Sequence, residues 1–146
     1  MGPAEDRIVE QSPLEQLLAA IDALDVEAFM ALIGSDPRLL AADGRRAAGA
    51  GEVRNLVRDL LAALRSTTHR ITAQWHVDDV WIAEIDADYE LQDYLELRAL
   101  PRVFILRTVE GGSADLRVYG AHEHPLTDHR TGEEGMWIGT RWVPPL

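Results

Sequence analysis

The chain has 146 residues, 47% of them apolar, with a formal charge of −11 and no cysteine. That length is about one domain, enough to bury a core unaided, and the missing thiols exclude disulfides, zinc–thiolate centres and a cysteine nucleophile. All fourteen basic residues are arginine, which excludes lysine Schiff-base chemistry, and the acidic balance repels nucleic-acid phosphate and anionic membrane surfaces alike.

The opening "MGPAEDRIVEQ" has neither an apolar run nor a basic start, so it does not read as a secretory signal. No stretch approaches the about 20 apolar residues of a membrane-spanning helix. The expectation is a soluble, cytoplasmic protein: a tail over residues 1–11 and a single domain over 12–146.

The first helix begins at "SPLE", with Ser12 as cap, Pro13 at the first helical position and Glu15 completing a capping box. Leu14, Leu17, Leu18 and Ile21 then follow helical spacing. A second short helix starts near Asp25 and carries Val26, Phe29, Leu32 and Ile33. "DPRLLAADGRR" reads as a short extended piece ending in an Asp-Gly turn. In the third helix Val53, Leu56, Val57, Leu60, Leu61 and Leu64 form one apolar stripe.

From Thr68 the period changes to two. Ile71, Ala73, Trp75 and Val77 alternate with Arg70, Thr72, Gln74 and His76. Further strands follow: "VWIAEIDADYEL", then, after the loop "QDYLELRALP", "RVFILRTV", then "ADLRVYG" after the turn "EGGS", and finally "MWIGTRWV". Helices first and a run of hairpin-connected strands after them predict an α+β fold, with helices on one face of a curved antiparallel or mixed sheet. Such a sheet wraps the N-terminal helices into a cone whose interior is the natural pocket.

This order, with "LLAAIDALDVEAFMALI", "ADG", "ITAQWHVDDVWIAEIDADYEL" and "VFILRTVEGGSADLRVYG", resembles the nuclear-transport-factor-2-like superfamily over Leu14 to Leu126, and within it the SnoaL-like proteins. The superfamily includes polyketide cyclases, ketosteroid isomerases, limonene-epoxide hydrolases, dehydratases and members that only bind or dimerise, so the fold does not settle the function. Position by position, the acids and hydroxyl of the steroid isomerases fall at Leu17, Ala41 or Ala42, and Val103. The charged residues of the epoxide hydrolases fall at Ile85, Ala87 and Val118, and the cyclase Asp at Ala121 or His122. None of these sets is intact. The resemblance implies a cone that binds a small, largely apolar organic molecule, without a cofactor, in a homodimer joined through the outer sheet face. It also implies metal-free acid/base chemistry such as cyclisation, isomerisation or dehydration. The alternative is a non-catalytic ligand-binding or dimerisation module.

Parity sorts the candidate side chains. Glu84, Asp86, Asp88 and Glu90 share one face of their strand, opposite Trp81, Ala83, Ile85, Ala87 and Tyr89. The apolar set faces inward, so the carboxylates form a solvated row rather than a cation site. Leu116, Val118, Gly120 and His122 share the inner face of the next long strand but one. That puts His122 at the cone mouth, as a general acid or base or as a rim histidine bonded to a loop carbonyl. Asp43 in the Asp-Gly turn and the Tyr89 hydroxyl are its candidate assistants, although a turn aspartate and a core tyrosine are the ordinary readings. Trp75, Trp81, Leu17, Val103 and Val118 are the candidate ligand-contacting walls, and Arg107, sharing parity with Val103, is a candidate partner for an acidic group. Small residues at Ala73, Ala83, Ala87 and Gly120 leave the space. His122, His124 and His129 or Asp128 have some of the character of a metal site, but Pro125 breaks the strand between them, and no metal is expected.

Overall fold

A computed structural model describes residues 11–108 and 112–120, together with the backbone of three later strands. Helix α1 (Pro13–Asp22) starts as its sequence requires: the Ser12 hydroxyl accepts from the Glu15 amide at 3.1 Å and Pro13 takes the first turn. Asp25 caps α2 (Val26–Ile33) by accepting from the Ala28 amide. A small antiparallel pair follows, β1 (Arg38–Leu40) and β2 (Arg46–Ala48), and then α3 (Ala50–Ala62). The third helix therefore ends before Leu64, which opens the first long strand.

Four longer strands join β1 and β2 in a six-stranded main sheet: β3 (Leu64–Val77), β4 (Val80–Leu91), β5 (Glu96–Thr108) and β6 (Ala114–Gly120). Its order is β2-β1-β6-β5-β4-β3, antiparallel except where β1 runs parallel to β6. The start of β5 at Glu96 takes in part of the segment expected to be a loop. The C-terminal segment expected as one strand is instead two, β8 (Glu134–Ile138) and β9 (Arg141–Val143), paired with each other. Together with β7 (Pro125–Thr127) they form a second, three-stranded sheet. Trp137 and Trp142 are register partners across β8 and β9.

All three helices lie on one face of the main sheet. Helix α1 contacts β3, β4 and β5, and α3 contacts β2 and β3. Leu14, Leu17, Val53, Ile85 and Leu106 are fully buried where the two layers meet, each worth about 1.5–3 kcal/mol of transfer free energy. The inward parity of β4 holds, with Ala83, Ile85 and Ala87 buried. The outward carboxylates behave as a solvated row. Asp88 is bonded to Arg70 and to the Ala99 amide, and Arg70 holds its carboxyl well below the usual carboxylate range.

Two strands depart from the expected faces. In β3 a bulge between Ile71 and Ala73 reverses the alternation. Gln74 then faces the helices, joined to the Ser12 hydroxyl at 2.7 Å and to Glu15 at 3.2 Å. Trp75 and Val77 turn outward, 48% and 61% exposed. In β5 the buried residues are Leu97, Leu100, Arg102, Phe104 and Leu106, and Arg107 is exposed at the strand end. Val103 therefore lies on the outer face opposite Tyr119. "RVFILRT" is apolar on both faces, so its period carried no parity signal.

Among the described residues no helix is long and apolar enough to cross a membrane.

Candidate functional site

Between the helices and the sheet lies a cavity of about 360 Å³. That is at the lower end of small-molecule sites, which span about 300–1,000 Å³. Every layer contributes to it: Ile21 from α1, Phe29 from α2, Val57, Leu60 and Leu61 from α3, and Leu97, Phe104, Leu116 and Val118 from the sheet. The small residues at its wall are Ala41, Ala42 and Ala63. Ala83 and Ala87, expected to supply the space, are instead fully buried core positions.

Into this apolar wall project three polar side chains, His69 of β3, Tyr89 of β4 and Arg102 of β5. The His69 side chain is 2% exposed. Asp22, the last residue of α1, accepts from it twice: Oδ2 takes the His69 backbone amide at 3.1 Å, and Oδ1 lies 2.6 Å from Nδ1. A carboxylate can only accept, so Nδ1 donates to Asp22, and in the neutral imidazole the lone pair is then on Nε2. That lone pair faces the Tyr89 hydroxyl at 3.4 Å. The rings of Tyr89 and Phe104 both meet the imidazole edge-on, with centroids 5.7 Å away, and so fix its plane.

Burial raises the Tyr89 pKa, only partly countered by the charge of Arg102, whose guanidinium lies 5.7 Å from the ring centroid. At neutral pH the hydroxyl is a proton donor. The arrangement is thus an imidazole, a phenol and a guanidinium in a largely apolar wall, with the partly exposed Asp22 carboxylate behind the imidazole. It can hold an oxygen-bearing organic molecule and move a proton to or from it.

Of the residues singled out from sequence, Tyr89, Asp43 and Val118 line the cavity. Asp43 is engaged by its own turn, accepting from the Arg45 amide at 3.0 Å and pairing with the Arg45 side chain at 2.7 Å. Both are partly exposed, so the pair stands at the opening. The other expected walls are elsewhere. Leu17 is buried in the α1 core, one turn from the cavity-lining Ile21. Trp81 stacks on His76 with centroids 3.8 Å apart, eight residues along β4 from Tyr89, about 26 Å at strand rise. Trp75, Val103 and Arg107 face away for the reasons given above. His122, with His124, Asp128 and His129, lies outside the described residues. Among the described ones no group of three or more His, Asp or Glu side chains is placed to hold a metal ion.

His69, Asp22 and Arg102 were not singled out. Counting back by two from Ile71 places His69 on the inner face before the bulge intervenes. Asp22 carried its own signal, since a carboxylate in the last turn opposes the helix dipole and needs another reason to be there.

With fold and site in place, comparison with known proteins bears on the first but not the second. No protein-family model and no curated protein sequence matches the chain. Solved structures do. A protein of ketosteroid-isomerase-like fold from Catenulispora acidiphila, in complex with trimethylamine, superposes with a TM-score of 0.66 at 18% identity, over 76% of this chain and 86% of that one. An NTF2-like protein from Exiguobacterium gives 0.63 at 15% identity, over 75% and 98%. A Mycobacterium tuberculosis protein in complex with estradiol-17β-hemisuccinate gives 0.62 at 20% identity, over 75% and 94%. The chain has the nuclear-transport-factor-2-like fold, the α+β cone shared by ketosteroid-isomerase-like and SnoaL-like proteins.

Proposed function

We propose that the cone binds a small, largely apolar organic molecule bearing a carbonyl or hydroxyl oxygen, and that it catalyses proton transfer on that molecule. The observation carrying this reading is the His69–Tyr89 pair in the apolar cavity wall, with Asp22 bonded to His69 from behind. The Tyr89 hydroxyl donates to the ligand oxygen. Where that oxygen is a carbonyl, His69 Nε2 takes a proton from the carbon next to the carbonyl carbon, the bonding pair moves through the carbonyl to its oxygen to give an enolate, and Asp22 steadies the imidazolium that forms. Returned to a different carbon, the proton gives isomerisation. Given instead to a β-hydroxyl, the same proton lets that group leave as water, and the enolate pair forms the new double bond, which is dehydration. Two structural relatives hold small organic molecules, trimethylamine in one and a steroid hemisuccinate in the other, which supports binding in this cone. The reading also includes a homodimer joined through the outer sheet face, where Trp75, Val77 and Tyr119 stand exposed.

The test uses 1-tetralone, a neutral two-ring ketone, incubated with the protein in deuterated buffer and followed by mass spectrometry. Wild-type protein is expected to accelerate deuterium uptake next to the carbonyl. His69→Ala should lose the acceleration by about 100-fold or more and still bind the ketone. Binding without any acceleration in wild type leaves the non-catalytic module as the function, and no binding at all overturns the reading.

A further inference from the structure

An apolar band crosses the outer face of the main sheet, and the charges on its two sides differ in sign. Tyr119 of β6 is the register partner of Val103 on β5. Ile105 of β5 is opposite Ile82 on β4, which is opposite Trp75 on β3. All share the outward parity, so they run as one diagonal from Tyr119 to Trp75, exposed at both ends. A continuous apolar strip with a charged rim is the mark of a surface that meets a partner.

On one side of the band lie Arg38 of β1, Arg46 of β2 and Arg107 of β5, all exposed. Their side chains have no hydrogen bond or ion pair to another described residue, whereas every other described arginine except Arg58 has a partner. Asp115, register partner of both Arg38 and Arg107, is held by Arg117 at 3.4 Å. Glu52 accepts from the Ala48 amide at 3.2 Å. On the other side of the band lie Glu84 and Asp86 of β4. Asp88 and Glu90, next along that row, are paired with Arg70 and Arg65. Glu84 has no such partner among the described residues, and Asp86 has only the neighbouring charge of Arg70. In the single chain both regions face water, and in a chain of net charge −11 the unpartnered arginines are gathered at one corner of one face.

A face with cations on one side of an apolar band and carboxylates on the other is complementary to itself. A twofold axis along the band turns a second copy so that each arginine corner meets the other copy's carboxylates, while the apolar residues meet at the axis. We propose that the partner on this face is a second copy of the chain, and that Arg38 and Arg107 of each copy pair with Glu84 and Asp86 of the other. The proposal rests on the homodimer in the reading above and specifies how the two copies meet. A free anion would answer to the arginines alone, and an acidic protein would leave the carboxylates facing like charge.

Two double variants test this by light scattering and native mass spectrometry. In Arg38→Glu/Arg107→Glu both sides of the band are acidic, and in Glu84→Arg/Asp86→Arg both are basic, so like charge faces like in either homodimer. Each should associate about 100-fold more weakly than wild type. Mixed in equal amounts, the two should recover a dimer with one chain of each, because every reversed charge then meets its opposite. If a variant fails to fold, wild type still decides. Raising salt from about 0.05 M to about 1 M should weaken its dimer about tenfold, whereas an interface held by the apolar band alone would not weaken. Variants that dimerise as tightly as wild type, a mixture of folded variants that stays monomeric, or a dimer indifferent to salt overturns the pairing and leaves the homodimer standing. Wild type that is monomeric at micromolar concentration removes both. The cavity chemistry has its own test in deuterium uptake and survives either failure.

Discussion

His69 has one nitrogen fixed by Asp22 and the other turned toward a phenol that is too far for a strong bond. At 3.4 Å the Nε2–Tyr89 contact is at the loose end of hydrogen-bond geometry, so a ligand oxygen can replace the imidazole as the Tyr89 partner at little cost. The raised Tyr89 pKa has a consequence for stability. A group whose folded pKa lies above its unfolded value, here 10.0, contributes stability that is fully present below that value and is lost as pH rises through the folded pKa. Chemical denaturation at about pH 8 and about pH 11 should therefore cost wild type more stability than Tyr89→Phe. An equal loss in the two proteins would mean that the phenol is not buried. None of this was visible in composition. The partner of His69 lies 47 positions earlier, a pairing that only the packing of α1 on β3 creates.

The elements followed from local rules wherever one local rule acted alone. The capping box fixed the start of α1, the apolar stripe marked α3, and strict alternation gave the inner face of β4. Errors fell where two patterns competed. One extra residue in β3 inverted every side chain beyond Ile71, which put Trp75 outside and Gln74 inside. In β5, Val103 and Ile105 are as apolar as Phe104 and Leu106, so the true inner face was set by the neighbours on either side. The outer face that results carries Trp75 next to Ile82, with Ile105 beyond it along the register. If two copies join there, size-exclusion chromatography with light scattering should show a dimer of wild type, and Trp75→Glu should shift it toward monomer with the cavity intact. A wild-type monomer at micromolar concentration would contradict that arrangement.

At the scale of the molecule, the acidic exterior and the cavity answer to different constraints. The outward carboxylates of β4 face water and their arginines. The interior gathers an apolar volume around one histidine, one tyrosine and one arginine, each delivered by a different strand of the sheet. Sequence order was enough to read the cone, because helix–helix–helix–sheet connectivity has few packed solutions. The site was only half legible: Tyr89 and Val118 followed from parity, while the groups that polarise the site depend on contacts between distant segments. The most direct test is a long-range 1H–15N correlation spectrum of the histidines, with His69 assigned by His69→Gln, recorded with and without 1-tetralone. The account predicts the Nδ1–H tautomer for His69 in the free protein and a marked shift of its Nε2 when the ketone binds. An Nε2–H tautomer, or an Nε2 that does not respond to bound ketone, would contradict it.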